Sequence, residues 1–201
     1  MSLHYLNQMV TPTVEAAQDQ FFGRHQELPA TSVPDQLGVE EIEHIEARDS
    51  FYMATINERN WPYLQHRGGP TGFLKVLSPT QLGFADYRGN RQLLSTGNLT
   101  HNDRVSLFLM DYPSKSRLKI LGHAHVLLPE KNSAITARLV DPSTAARVER
   151  FFLINVESYD WNCSQYITPR FTSEQVTTAL APLKSRIAEL EDELRALRSS
   201  A

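Results

Sequence analysis

Short apolar segments separated by turn residues, between positions 50 and 128, most constrain how this chain can fold. The β-prone run 51–56 ends at the polar tetrapeptide 57–60, which is typical of a four-residue hairpin loop. Because a closed sheet leaves no unpaired edge, a series of such strands predicts a small antiparallel barrel. Further strands are predicted at 61–67, 73–77, 81–86, 105–110 and 151–156. The strand 105–110 is expected to be buried on both faces, and a long strand with alternating apolar residues is predicted at 118–128.

Helices are predicted around these strands. The segments 11–27 and 39–48 carry apolar residues at helical spacing. Residues 91–100 are expected to form a short helix at the mouth of the barrel, and 131–150 a helix interrupted at Pro142. The predicted fold class is mainly β with accessory helices, in three parts: an N-terminal helical segment (1–45), the barrel (46–170) and a C-terminal helix (171–201).

The C-terminal segment carries a heptad pattern. Leu183, Ile187, Leu190, Leu194 and Leu197 are spaced 4, 3, 4 and 3 residues apart, which is the a/d seam of a coiled coil. Roughly two and a half heptads are too few for a helix to be stable alone. Two arrangements fit this pattern: the helix pairs with its copy in a dimer of barrels, or it folds back on its own barrel.

Composition argues against several classes of function. The 201 residues carry a formal net charge of −3, which supplies no general attraction to nucleic acid or to an anionic membrane. No apolar run approaches the roughly 18 residues that span a bilayer, and the N-terminus lacks the regions of a signal peptide. The single cysteine, Cys163, excludes an intrachain disulfide and is expected to be a packed thiol. We therefore expect a cytoplasmic protein without nucleic-acid or membrane partners.

Four cationic residues lie at the edges of predicted strands and turns. Arg67, Lys75, Arg88 and Arg91 alternate with glycine-containing turns. Side-chain cations and backbone N–H groups can gather at one point in such an arrangement, as a phosphate dianion requires. The pattern is neither a P-loop nor a dinucleotide fingerprint, because no helix-opening G-x-G-x-x-G follows a strand. The alternative for Arg67 and Lys75 is that both are ordinary surface cations.

Six ordered segments together resemble a known family. They are RGGPTGFLKVL (67–77), LGFADYRGNRQ (82–92), STGNL (95–99), NDRVSLFLMDYP (102–113), RLKILGHAHV (117–126) and DWNCSQYITPR (160–170). In sequence and spacing they resemble the flavin-nucleotide-binding proteins related to pyridoxamine 5′-phosphate oxidase. The resemblance covers roughly residues 45 to 170. It implies an FMN-binding split β-barrel that forms a homodimer, with the flavin at the subunit interface.

The resemblance implies where the flavin phosphate binds. Asn90 and Arg91 occupy a place similar to the family's phosphate-binding residues, supported by Ser95 and Thr96. Asn98 has two interpretations, as a cofactor contact or as a helix or turn cap.

The resemblance also implies contacts with the flavin ring. Arg117 aligns with a polar residue that touches the ring, where a cation stabilises the reduced, anionic flavin. Trp161 stands where the family closes the flavin site. The alternatives are solvent exposure for Arg117 and simple core packing for Trp161. The expected cofactor-binding residues are Arg67, Phe73, Lys75, Asp86, Asn90, Arg91, Ser95, Thr96, Asn98, Arg117 and Trp161.

The function that the resemblance implies is a flavin-dependent oxidoreductase acting on an unidentified small molecule. A non-catalytic flavin- or haem-binding carrier or sensor is the alternative, since one fold hosts many functions; a deazaflavin is a third possibility. His123 and His125 share a strand face without an evident third ligand, so we expect no metal. Ser164 and Tyr166 stand where relatives have Pro and His, which argues against a catalytic role for that segment.

Overall fold

The computed structural model describes residues 2–161 and 164–199. The chain forms two compact units: unit 1 comprises Met1–Asp111 with Ser116–Ser164, and unit 2 comprises Tyr112–Lys115 with Gln165–Ala201. Cys163, predicted to be a packed thiol, lies outside the described residues. The domain boundaries after residues 45 and 170 remain a prediction.

Unit 1 is built on a single antiparallel sheet, which has seven strands within the described residues. The strands are β1 (Ser50–Ile56), β2 (Pro62–Gly68), β3 (Lys75–Ser78), β4 (Gln81–Tyr87), β5 (Arg104–Asp111), β6 (Ser116–Leu127) and β7 (Val148–Trp161). They lie side by side in the order β2-β1-β5-β6-β7-β4-β3. All of the predicted strands are present, although the predicted strand 151–156 is part of the much longer β7.

Six α-helices accompany the sheet in the described chain. They are α1 (Leu3–Met9), α2 (Pro12–Phe22), α3 (Val39–Glu46), α4 (Leu94–His101), α5 (Ser133–Leu139) and α6 (Ser173–Ser199). The predicted fold class, mainly β with accessory helices, is confirmed. Two details were wrong: α1 was not predicted, and the helix predicted at 131–150 ends at Leu139. Residues from Val148 onward instead pair with β4, so the long-range strand ladder overrides local helical propensity.

Aromatic contacts show that the sheet curls until its two ends meet. Phe51 of β1 and Phe84 of β4 pack edge to face, with ring centroids 5.3 Å apart. Phe84 also stacks on Phe152 of β7 at 4.9 Å. Because β1 is second and β4 sixth in the sheet order, this contact is possible only across a closed interior. The apolar core therefore fills a small barrel.

Burial alternates along the two strands at the middle of the sheet. Val105, Leu107 and Leu109 of β5 are buried, whereas the residues between them are only half-buried. The prediction that 105–110 is buried on both faces was therefore wrong, because one face of an antiparallel barrel strand points outward. The predicted alternation of β6 is confirmed, with Leu118 and Ile120 on the buried face.

Unit 2 contains the longest helix of the chain, α6. Pro182 lies inside this helix, and none of the helix residues is buried. Among the described residues, no helix is long and apolar enough to cross a membrane.

Gly122 provides a test of the register between β6 and β7. It lies at a register shift, and a Cβ atom there would approach the carbonyl oxygen of Asn155 to 2.5 Å. We expect Gly122→Ala to lower the free energy of unfolding by about 1–3 kcal/mol, measured by urea denaturation, because the backbone must move apart.

The matched control is Gly97→Ala in α4, where a Cβ atom would meet nothing within 4 Å. It should raise stability slightly, since alanine favours a helix over glycine by up to about 1 kcal/mol. Equal effects of the two substitutions would contradict the register given above.

Candidate functional site

A polar cleft opens on the surface of unit 1 where several elements converge. It has a volume of about 190 Å³ and is lined by β2, the end of β4, the segment 89–96 and the start of β7. Six of the eleven predicted cofactor-binding residues line it together: Arg67, Asp86, Asn90, Arg91, Ser95 and Thr96.

A chain of ion pairs forms the base of this cleft. Arg67 of β2 donates from Nη1 to Oδ1 of Asp86 in β4 at 2.5 Å. Arg150 of β7 donates to the other oxygen of Asp86 at 2.9 Å and to Glu149 at 2.7 Å. The side chains of Arg67, Asp86 and Arg150 are each less than one-fifth exposed. Both oxygens of the Asp86 carboxylate are thus occupied by guanidinium groups.

Burial and charge act against each other in this group. Burial raises the pKa of the Asp86 carboxyl, and the neighbouring charges of Arg67 and Arg150 oppose that rise. Burial likewise lowers the pKa of the Arg67 guanidinium, which the charge of Asp86 opposes. An arginine keeps its proton at any physiological pH, so both guanidinium groups stay cationic beneath the cleft.

Arg67 retains an unused hydrogen-bond donor. Its Nε is buried and has no partner among the described residues. The central carbon of its guanidinium lies 5.0 Å from the ring centroid of Phe152, a cation–π contact. A buried donor without an acceptor is destabilising by about 1–3 kcal/mol.

Two more arginines pair with Glu149: Arg91, which lines the cleft, and Arg88, which lies outside its lining. Arg91 donates to Glu149 at 3.2 Å, and Arg88 reaches the same carboxylate oxygen at 3.4 Å. Although partial burial opposes it, the hydrogen bond from Arg91 holds the pKa of the Glu149 carboxyl below its usual value. Arg91 is largely exposed, so its guanidinium can turn from Glu149 to another anion. With Arg67, Arg91 and Arg150 facing Asp86 and Glu149, the lining of the cleft has an excess of positive charge.

The backbone between β4 and α4 is strained beside the cleft. Arg91 and Leu93 have φ angles of 60° and 57°, in the left-handed region that side chains other than glycine rarely adopt. Such residues cost on the order of 1–3 kcal/mol each and concentrate at ligand sites. Their conformation turns the chain so that Ser95 and Thr96, in the first turn of α4, line the cleft. The free N–H groups of a helix N-terminus favour bound anions.

Two polar contacts fix the position of α4. Ser95 donates to the side-chain oxygen of Gln65 at 3.2 Å, which joins the helix to β2. Asn98 donates to the hydroxyl of Thr55 in β1 at 2.8 Å. The Asn98 side chain therefore anchors the helix to the barrel and is not seen in a capping role. Its predicted contact with the cofactor remains a prediction.

Like Asn98, the remaining four predicted residues lie outside the lining of the cleft. Phe73 is buried in the core and borders a smaller neighbouring cavity of about 150 Å³, shared with Arg67 and Asp86. Trp161 donates to Glu41 of α3 at 2.7 Å and packs on the core.

Lys75 begins β3, and the guanidinium of Arg117 lies 5.2 Å from the ring centroid of Phe108 on the neighbouring strand. Neither residue lines the cleft. Their predicted contacts with a cofactor, like those of Phe73 and Trp161, stay predictions.

Sequence reasoning missed Glu149 and Arg150. Both were assigned to the helix predicted at 131–150, whereas they lie at the start of β7 and line the cleft. The available signal was that this charged pair directly precedes the apolar run 151–156, where a strand was predicted.

His123 lies 3.0 Å from Asp103 and forms an exposed ion pair with it when protonated. Among the described residues, no three His, Cys, Asp or Glu side chains lie close enough together to hold a metal ion.

The chain matches the model of a known family. The model of the family described as pyridoxamine 5′-phosphate oxidase matches residues 39–157, which is more than half of the chain. These residues include β1 to β6, the whole loop from β4 to α4, and the start of β7. No curated protein matches the chain in sequence.

Three solved structures with a similar arrangement are distant in sequence. A Lactobacillus delbrueckii protein named for pyridoxamine 5′-phosphate oxidase is 17% identical with a TM-score of 0.49, covering 64% of this chain and 99% of its own. General stress protein 26 from Bacillus anthracis is 15% identical with a TM-score of 0.47, covering 66% and 95%. An FMN-binding protein from Syntrophomonas wolfei is 11% identical with a TM-score of 0.43, covering 62% and 87%.

The ion pairs at the base of the cleft can be tested with Arg67→Met, which keeps an apolar stem and removes the charge. We expect a loss of about 3–5 kcal/mol in the free energy of unfolding at pH 7, because Asp86 stays buried with one guanidinium partner fewer. The loss should shrink as the pH falls, since protonating Asp86 removes the charge that Arg67 stabilises. Because burial raises the pKa of Asp86, the shrinkage should begin above its ordinary value of 3.8.

Urea unfolding at pH 7 and at successively lower pH values measures both effects. Arg88→Met is the control, because the Arg88 side chain is 64% exposed and 3.4 Å from its carboxylate; its stability should change little at any pH. A pH-independent loss in Arg67→Met, or an equal loss in Arg88→Met, would show that the buried network is wrong.

Proposed function

The chain belongs to the pyridoxamine 5′-phosphate oxidase family, and from this membership we propose that it binds a flavin nucleotide, FMN. The observation that carries the proposal is the cleft itself: arginines and the first turn of α4 converge on one opening. Cations and backbone N–H groups placed together are what a phosphate dianion requires. The FMN phosphate is the group that we assign to this cleft.

Arg91 is proposed as the main cationic ligand of the phosphate. It is exposed at the rim and bound only to Glu149, at 3.2 Å, so it can exchange that partner for a phosphate oxygen. Asn90, Ser95 and Thr96 supply neutral polar groups around the same opening. Arg67 and Arg150, both paired with Asp86 at the base of the cleft, add positive charge from below.

The size of the cleft supports a site that is completed by a second subunit. Pockets that enclose a drug-sized ligand measure about 300–1,000 Å³, whereas this cleft measures about 190 Å³. It is large enough for the phosphate end of FMN and too small for the whole molecule. We propose that the protein is a homodimer and that the partner covers the flavin ring, as the family resemblance implies.

Flavin-dependent oxidoreduction of a small molecule is the activity that we propose for this site. A bound flavin supplies reversible electron transfer, so the protein needs only to bind, orient and polarise the reacting groups. The residues that line the cleft are consistent with this role of the protein. Its described lining contains no histidine or cysteine, and its two carboxylates, Asp86 and Glu149, are both engaged by arginines.

The same observation also favours a second function, flavin binding without turnover. A protein that stores or senses flavin needs the phosphate site and no group for proton transfer. Rapid bleaching of the bound flavin by a nicotinamide cofactor under anaerobic conditions would favour the oxidoreductase. Tight binding without such bleaching would favour the carrier or sensor.

The phosphate assignment predicts a selective effect of Arg91→Ala. Protein freed of any bound flavin is titrated with FMN and with riboflavin, which lacks the phosphate, and flavin fluorescence reports binding. We expect Arg91→Ala to weaken FMN binding about 10- to 100-fold, since a hydrogen bond between charged groups contributes about 1.5–3 kcal/mol. Riboflavin binding should be weaker than FMN binding in the unaltered protein and insensitive to the substitution.

Arg104→Ala is the matched control, because Arg104 is an exposed arginine of β5 outside the cleft. It should bind FMN as the unaltered protein does. Unchanged FMN affinity in Arg91→Ala would overturn the phosphate assignment, as would an equal loss of affinity for FMN and riboflavin.

A further inference from the structure

The helix α6 exposes a continuous apolar stripe along its whole length. Its apolar side chains recur at intervals of four and three residues, and each is between 41% and 68% exposed. None of the helix residues is buried. The stripe consists of Val176, Leu180, Leu183, Ile187, Leu190, Leu194 and Leu197.

The spacing of the stripe identifies the kind of surface that covers it. Alternating intervals of four and three average 3.5 residues, whereas a straight helix has about 3.6 residues per turn. A stripe with the 3.5-residue period stays in contact only with a second helix that winds around it. A helix packed on a sheet carries a broader apolar face, of three to four residues in every two turns.

We propose that α6 pairs with α6 of a second copy of this chain as a parallel, in-register, two-stranded coiled coil. Leu180, Ile187 and Leu194 then occupy the a positions, and Val176, Leu183, Leu190 and Leu197 the d positions. Leucine at every d position after the first, with isoleucine at the central a position, suits two strands. The occupant is a second copy because of the charges that flank the stripe.

Those charges are complementary only between two copies. In a parallel coiled coil, each g residue faces the e residue five positions later in the partner helix. Arg186 at g thus faces Glu191 at e, and Glu193 at g faces Arg198 at e. Both pairs are attractive, and the two-fold symmetry repeats them on the other side of the stripe.

The helix cannot form these pairs within itself. Residues five positions apart point to different sides of one helix, and only those three or four apart are neighbours. In the isolated helix Arg186 instead reaches Glu189 at 2.8 Å, an exposed pair in which both side chains are more than half exposed. Such surface pairs contribute little, so Arg186 is able to change partner when the helices meet.

Disulfide formation between introduced thiols tests the proposal on the full chain. Cys163→Ser removes the single natural thiol. Leu183→Cys, Leu190→Cys and Leu197→Cys are then added one at a time, and dimer formation under diamide oxidation is followed on non-reducing gels at low protein concentration. Each d position lies opposite its copy in a parallel, in-register pair, so all three variants should cross-link.

Asp192→Cys is the control on the outer side of the same helix, at position f. The three d variants should cross-link at least about tenfold faster than this control, because pairing raises the local concentration of the two thiols far above that in solution. Cross-linking at only one d position would indicate an antiparallel pair and overturn the proposal. Rates equal to the control at every position would also overturn it, and would leave packing on the chain's own barrel or on another partner.

A second test reverses the charges that flank the stripe in the Leu190→Cys protein. It changes no further residue of the stripe itself. Arg186→Glu alone should remove most of the rate advantage, because it places Glu opposite Glu191 of the second copy. Adding Glu191→Arg should restore it, since the swapped charges attract again. Failure of the double variant to recover would overturn the parallel register. This result is independent of whether the protein binds flavin.

Discussion

The contact between Arg67 and Asp86 is the interaction on which the rest of unit 1 depends. Arg67 lies on the first strand of the sheet order and Asp86 on the sixth, so their hydrogen bond joins two strands that share no ladder. Together with Phe51 against Phe84, it holds the two ends of the curled sheet together. Arg150 completes the contact from β7. The residues that close the barrel are therefore also the base of the cleft.

Because the same residues close the barrel and form the base of the cleft, they also determine the charge of the site. Asp86 and Glu149 position the arginines, and because the arginines outnumber them, positive charge remains for a ligand. The strained backbone at Arg91 and Leu93 brings the first turn of α4 to the same point. Cations and N–H groups already gathered at one point lower the free-energy cost of binding an anion, because only the exposed Arg91 has to exchange its partner. The phosphate site that we propose is therefore built in part from the residues that close the barrel.

Local sequence patterns predicted those parts of the fold that depend on neighbouring residues. Turn residues and alternation located the strands, and the residues around Ser95 located α4. The patterns failed where pairing between distant strands determines the structure. Pairing with β4 makes β7 begin at Val148, so Glu149 and Arg150 belong to a strand, and local patterns missed them. Arg91 and Arg67 were identified by resemblance, yet the bond from Arg67 to Asp86 was not, since its partners are 19 residues apart. No local rule reports which carboxylate a distant arginine will meet.

The most direct test of the central claim is the visible absorption spectrum of the purified protein, combined with mass analysis of whatever heating releases. The account predicts the absorption bands of oxidised flavin and the release of about one FMN per chain, since each chain supplies one arginine-lined cleft. A colourless preparation that also fails to take up added FMN would contradict it. In that case the cleft would have to be assigned to a different anion.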